Sequence, residues 1–354
     1  MTKKQVGRRS DLKNISKNRV LGKEKIMAGI ISEHVAVKQV DETAEGQRID
    51  NFLIKQFRNI PKRHIYQLLR SGQVRVNSKR IKASYRLVLN DKVRIPPVTY
   101  QAKTIFQPKP CQIERFDILY QDDDLLVINK PAGIAVHGGS GISYGVIEQL
   151  RRQHPDWRFL ELVHRLDRET SGVLLLARKR RALVELHQQI REGAVQKHYQ
   201  VLVRGKWRNQ LQNVRLPLYK YLTAKGERRV AIATAQRNYD KVKVQQAHTL
   251  FTLQQTWDDF SLLDAKLITG RTHQIRVHLG HLGFPIVGDD KYGDFELNKR
   301  LLKGDGTDLL LKRMFLHAST FICRHPFTGD TLRLEASLPD ELQFFINKLN
   351  TDAI

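Results

Sequence analysis

Residues 162–177 read LVHRLDRETSGVLLLA. The stretch opens on clustered charges, Arg165, Asp167 and Arg168, and closes on an apolar run from Val173 to Ala177. An uninterrupted run of this kind suits a buried strand. Thr170, Ser171 and Gly172 join the charged loop to that strand, so the loop is anchored on a rigid element, where a positioned site belongs. Two guanidiniums beside Asp167 favour its charged form. Such a carboxylate is a poor general acid but a usable nucleophile or electrostatic stabiliser. An ion pair that merely fixes a loop is the competing reading.

Downstream, RRALVELHQQIREG (180–193) predicts an amphipathic helix with Leu183, Leu186 and Ile190 inward and Gly193 as its stop. HYQVLVRG (198–205) alternates and puts Tyr199, Val201 and Val203 on one face. LLDAKLITGRTHQIRVHLGHLG (262–283) reads as strand, turn and helix, with Thr272 as N-cap. Upstream, DDDLLVINKPAGIAVHGG (122–139) holds a strand over Leu125 to Ile128 and a Lys-Pro-Ala-Gly turn. Runs of strands with few interleaved helices argue for an α+β fold with a large mixed, mostly antiparallel sheet and flanking helices.

A different pattern precedes this domain. QRIDNFLIKQF (47–57) and PKRHIYQLLRSG (61–72) carry apolar residues at helical spacing, and QVRVNSKRI and YRLVLNDKVRIPP supply short strands and turns. This module of about 50 residues concentrates Lys62, Arg63, Arg70, Arg75, Lys79 and Arg80 against Asp50 and Asp91. Residues 1–46 are expected to be a basic, disordered arm, with Met27 a second candidate start, and the Pro-dotted residues 97–112 a linker. The second domain then runs over 113–350.

The chain has 354 residues, with 61 Lys and Arg against 36 Asp and Glu, a net charge of +25. That excess points to a polyanionic partner, because cations that meet phosphates release condensed counterions. Two cysteines without CxxC spacing make a disulfide framework or structural zinc site improbable. No apolar run approaches the roughly 18 residues that span a bilayer. His273, His278 and His281 lie close in sequence, but His273 and His278 splay by about 140° around a helix, which argues against a metal centre. GGSGISYG lacks the phosphate-loop pattern and is expected to be a flexible loop over the site.

HRLDRETSG (164–172) resembles the HRLDxxTSG signature of the RluA family of pseudouridine synthases at every fixed position. VINKPAGIAVHGG, KHYQVLVRG, ITGRTHQIRVHLGHLGFPIVGDDKYG and FLHA resemble further family blocks, in the family's order. RIDNFL, SGQVRVN and DKVRIP resemble the S4 RNA-binding domain. The resemblance implies an isomerase that breaks the N-glycosidic bond of a uridine, rotates the uracil and rejoins it through carbon. It implies Asp167 as the essential aspartate, Tyr199 as the tyrosine that stacks on the base, and Arg276 as the basic partner of Asp167. Spacing alone does not decide between Arg271 and Arg276 for that pair. Arg165 would fill the space left by a flipped base; Arg168, Arg271 and His273 would contact RNA. No metal and no cofactor are expected. The expected partner is large-subunit ribosomal RNA, free or in an assembly intermediate, with transfer RNA or plain RNA binding as alternatives. A soluble, cytoplasmic monomer is anticipated.

Overall fold

The computed structural model describes residues 28–32, 35–57, 60–101, 115–138, 144–234, 239, 242–304 and 309–351. These divide into two compact units near residue 106.

In the smaller unit, helices Ile49–Gln56 and Lys62–Arg70 bury Ile49, Phe52, Leu53, Ile65, Leu68 and Leu69. The helices accompany an antiparallel sheet in the order Ala36–Gln39, Lys92–Ile95, Arg75–Val76. This corrects the expected arm over residues 1–46, because Ala36 pairs with Ile95 and Gln39 with Lys92. The expected linker is shortened too, since Val98–Gln101 pairs with Ala28–Ser32. Both additions are edge strands whose partners lie some 60 residues away in sequence. Only pairing makes such short segments strands, so local patterning did not mark them. Residues 1–27 and 102–112 of those two expectations lie outside the described residues.

The larger unit is built on a ten-stranded sheet. Its strand Ser171–Ala177 is buried along its whole length. On one side lies Leu125–Lys130, antiparallel; on the other lies Leu316–Arg324, joined in parallel through His317↔Ser171 and Ala318↔Gly172. All other pairings of the sheet are antiparallel. The unbroken apolar run follows from burial on both faces. Leu174 and Leu176 join Leu126, Ile128, Tyr199, Val201 and Ile275 in one core. Val173, Leu175 and Ala177 join Leu125, Val127, Ala182 and Leu186 in the other. Tyr199, Val201 and Val203 share the first of these faces.

Gly172 shows how tightly the motif is held. Its φ is +111°, and a Cβ there would lie 2.1 Å from the Ala318 carbonyl oxygen. Only glycine permits that conformation and that approach. Beside it, Arg313 Nη2 donates to Ser171 Oγ at 2.6 Å. Ser171 Oγ lies 2.8 Å from His317 Nδ1, and His317 Nε2 lies 3.0 Å from the Ala336 carbonyl oxygen. A carbonyl can only accept, so Nε2 carries the imidazole proton and Nδ1 accepts from the serine.

Candidate active site

Asp167 sits in the loop between Glu161–Leu162 and Ser171–Ala177, where Thr170 N donates to the Asp167 carbonyl at 3.2 Å. Buried Leu166 and Thr170 anchor the loop on either side. The turn at 131–134 braces it further. Lys130, 0 % exposed, donates to the carbonyls of Pro131 (2.6 Å), Ile134 (2.9 Å) and Arg168 (3.1 Å). An ammonium carries three donors, so one side chain ties the turn to the loop. Arg168 does the same from outside: its Nε donates to the Gly133 carbonyl at 2.8 Å, and it pairs with Glu169.

The groups that reach Asp167 are not its sequence neighbours. Among the described residues, Arg276 Nη1 lies 3.7 Å and His273 Nε2 3.8 Å from Asp167 Oδ2. Of the two arginines that spacing left open, Arg276 makes this approach; Arg271 Nε donates to the Gln246 carbonyl at 3.0 Å. The clamp expected from Arg165 and Arg168 is therefore replaced by one from the far end of the chain. Arg168 is turned to the Gly133 carbonyl instead, whereas Arg276 arrives on a separate helix.

Arg276 belongs to the helix Gln274–His281 and is 3 % exposed. Its burial is made tolerable by Asp289, which accepts from Nε at 2.7 Å and from Nη2 at 2.6 Å. Asp290 accepts from Nη2 at 3.0 Å. Burial alone would lower the guanidinium's hold on its proton; Asp289, Asp167 and Asp290 more than reverse this. Burial likewise pushes the Asp289 carboxyl up, but Arg276 and the Lys291 and Tyr292 amides outweigh it and hold it below the usual carboxylate range. The pair is thus a fixed, oriented ion pair of no net charge, with one guanidinium nitrogen left to face Asp167. Asp289, Asp290 and Tyr292 were not singled out from sequence, although they lie within the quoted VGDDKYG block.

The helix begins at His273, not at the expected Thr272. His273 has a left-handed φ of +53°, and its side chain makes no capping bond. A non-glycine residue in that region is a site of local strain, of the kind that gathers where function requires it.

Asp167, Tyr199, Arg165, Arg271, His273 and Arg276 line one cleft of about 290 Å³. Arg168 is not among its lining residues. Burial pushes the Tyr199 phenol far up, and the Asp167 charge adds to the effect, so the ring is a neutral, largely apolar wall. Lys197, two residues before Tyr199 on the same strand, also lines the cleft, and burial lowers its pKa. Its period-two spacing from Tyr199 was the available signal. Asp167 is the one carboxylate among the described lining residues. His278 stands apart, engaged by Thr249 Oγ1 and the Leu216 carbonyl, each at 3.0 Å. Residues 139–143 of the expected loop over the site lie outside the described residues.

In the smaller unit, Lys62, Arg63, Arg70, Arg75, Lys79 and Arg80 are all exposed. Lys62, Tyr66 and Arg70 follow one stripe of the second helix. Asp50 and Asp91 are turned inward instead. Asp50 accepts from Arg48 and from Tyr66, and Asp91 from Asn77, Tyr85 and the Val88 amide. The cationic surface is left uncompensated by its own acids. No helix of the described residues is long and apolar enough to cross a membrane.

The RNA pseudouridylate synthase family matches residues 124–281, and the S4 domain matches residues 47–93. Ribosomal large subunit pseudouridine synthase C of Pasteurella multocida is 46 % identical over 90 % of this chain and 95 % of its own length. The protein of the same name from Escherichia coli K12 is 46 % identical over 90 % of this chain and 98 % of its own length. Among solved structures, human RNA pseudouridylate synthase domain containing 4 superimposes with a TM-score of 0.53 at 28 % identity. That match covers 66 % of this chain and 93 % of the human one. Fold, cleft and sequence relatives agree: the chain belongs to the RNA pseudouridine synthase family and carries an S4 domain ahead of its catalytic domain.

Proposed function

We propose that this protein isomerises uridines of large-subunit (23S) ribosomal RNA to pseudouridine, with Asp167 as the reacting carboxylate. The observation that carries the assignment of Asp167 is its isolation. Among the described lining residues, a single carboxylate stands in a cleft whose other ionisable walls are cationic or neutral. Hydrolysis of a glycosidic bond uses two carboxylates, because a water must be activated and a leaving group protonated. An isomerase keeps its leaving group and needs one. The relatives' names support the ribosomal substrate.

The target base is stacked in RNA and must be turned out to reach Asp167. A cleft of about 290 Å³ suits one nucleoside rather than a strand. In this reading Tyr199 stacks on the uracil. Arg165, exposed at the mouth and planar, occupies the space that the base vacates. Arg276 faces Asp167 at 3.7 Å, and a carboxylate held there serves attack on the sugar, attack on the ring and removal of the C2′ proton alike. The C1′–N1 bond breaks, the uracil rotates and C1′–C5 forms; the proton lost from C5 is matched by one gained at N1, so the composition is unchanged. Arg271 and His273 line the path of the nucleotide, and the exposed cations of the S4 domain hold flanking phosphates. Arg168 serves by bracing the loop. The enzyme acts as a cytoplasmic monomer, on free RNA or an assembly intermediate, without metal or cofactor.

The test is a map of pseudouridine in ribosomal RNA from a deletion strain, complemented by the wild-type gene and by Asp167→Asn. Loss of specific sites, restored by wild type alone, is expected. Full restoration by Asp167→Asn would overturn the assignment of Asp167, and sites that persist in the deletion strain would overturn the substrate.

A further inference from the structure

The edge strand of a small sheet contacts the active site through one phenol. Strand Arg228–Ile232 lies at the outside of a three-stranded sheet and pairs with Leu218–Leu222. Its Val230 amide donates to Tyr292 Oη at 3.0 Å. Two further links fix the register between this strand and residues 291–292. Arg229 Nη1 donates to the Lys291 carbonyl at 3.0 Å, and Lys291 pairs with Glu227. Tyr292 Oη also lies 2.9 Å from His273 Nδ1, and the two rings meet edge to face.

These contacts determine where the protons lie. The backbone amide must donate, so the Tyr292 oxygen accepts from Val230. A phenol has one proton of its own, and burial pushes its pKa up to about 12, so it keeps that proton. Among the described residues, His273 Nδ1 is the one acceptor in contact with it. The phenol therefore donates to Nδ1, and the imidazole proton sits on Nε2. Burial lowers the His273 pKa against the pull of Asp167, with Arg276 and Lys291 acting in the same direction as burial. A neutral imidazole with Nε2–H thus faces the Asp167 carboxylate. Both groups near Asp167, Arg276 Nη1 and His273 Nε2, approach the same oxygen, Oδ2.

We infer that His273 is a positioning residue whose Nε2–H, fixed by Tyr292 and the Val230 strand, holds one oxygen of Asp167 so that the other reacts. The approach of 3.8 Å is longer than a hydrogen bond, and catalytic contacts of this kind tighten when substrate fills the site. The inference rests on Asp167 being the reacting carboxylate.

The experiment compares His273→Gln with His273→Asn on a large-subunit RNA substrate, alongside Tyr292→Phe. Asn adopts the left-handed backbone more readily than Gln, but its short amide reproduces only the Nδ1 position. Gln places an N–H where Nε2 was. If His273 positions Asp167, Gln retains more activity: kcat falls about tenfold for Gln and about 10²-fold for Asn, with KM little changed. Were His273 only a helix-entry residue, Asn would match or exceed Gln, and that order would overturn the inference. A second readout needs no turnover. The 15N spectrum of histidine-labelled protein, with His273 assigned by its loss in His273→Gln, should show Nε2–H in the wild type and a shift toward Nδ1–H in Tyr292→Phe. An Nδ1–H wild type would refute it. Wild-type protein inactive on the RNA would count against the proposed function, while the spectrum would still decide the role of His273.

Discussion

The two units use arginine and lysine in opposite ways. The S4 domain turns Asp50 and Asp91 inward and leaves Lys62, Arg63, Arg70, Arg75, Lys79 and Arg80, among others, in solvent. Those charges act through their sum and are screened by salt, and Lys and Arg there are close to interchangeable. The catalytic domain buries Arg276 and Lys130 and surrounds each with acceptors of fixed geometry. There the charge matters less than where each N–H points. On the proposed function, one polyanion would be met by both strategies, attraction from a surface and placement in a cleft.

The sharpest way to break this contrast is at Asp289. Asp289→Ala leaves Arg276 buried without its bidentate partner and should destabilise the fold by about 3–5 kcal/mol, measured by denaturant unfolding. A loss as small as that from a surface pair would mean that Arg276 is not held as described. Next in size is Arg276→Lys. It keeps the charge but cannot span Asp289 and Asp167 together, so kcat should fall about 10²-fold with RNA affinity nearly unchanged.

Acid distinguishes the units as well. Burial lowers the pKa of His164 to about 3 and of His317 to about 4, from 6.5. A depressed folded pKa means that the unfolded chain binds the proton first. The stability from these residues is therefore complete above pH 6.5 and is lost as pH falls toward 3–4. Between pH 6.5 and 5 each should remove about 2 kcal/mol, which unfolding curves at the two pH values would register. The smallest effect belongs to the exposed surface. Lys62→Gln or Arg70→Gln should reduce the slope of log affinity against log salt by about 1 each, with kcat unchanged. Arg70→Lys should leave the slope alone. A lost turnover in these variants would erase the distinction between the two surfaces.

What could be read from sequence divides along similar physical lines. The doubly buried strand, the helix with Leu186 inward and the shared face of Tyr199 and Val201 were legible, because periodicity reports local geometry. Asp167 stood out through its motif. Its true neighbours did not: Arg276 and His273 lie over 100 residues away, and sequence adjacency suggested Arg165 and Arg168 instead. Asp289 and Tyr292 escaped notice because a buried acid and a half-buried phenol look like surface residues until their partners are known. The strands at Ala28–Ser32 and Ala36–Gln39 were missed for the same reason, since pairing alone defines them.

The parallel contact between Ser171 and His317 carries a consequence for how the protein is made. Its two hydroxyl and imidazole groups are separated by 146 positions. Closing so long a loop costs entropy that is recovered only when the strands between are in place. The Asp167 loop is hung from that contact, so on the ribosome its final geometry must wait until Leu316–Arg324 has emerged. The S4 domain, complete some 200 residues earlier, has no such wait. During its own synthesis the chain passes through a stage in which its S4 domain is complete and its Asp167 loop is not.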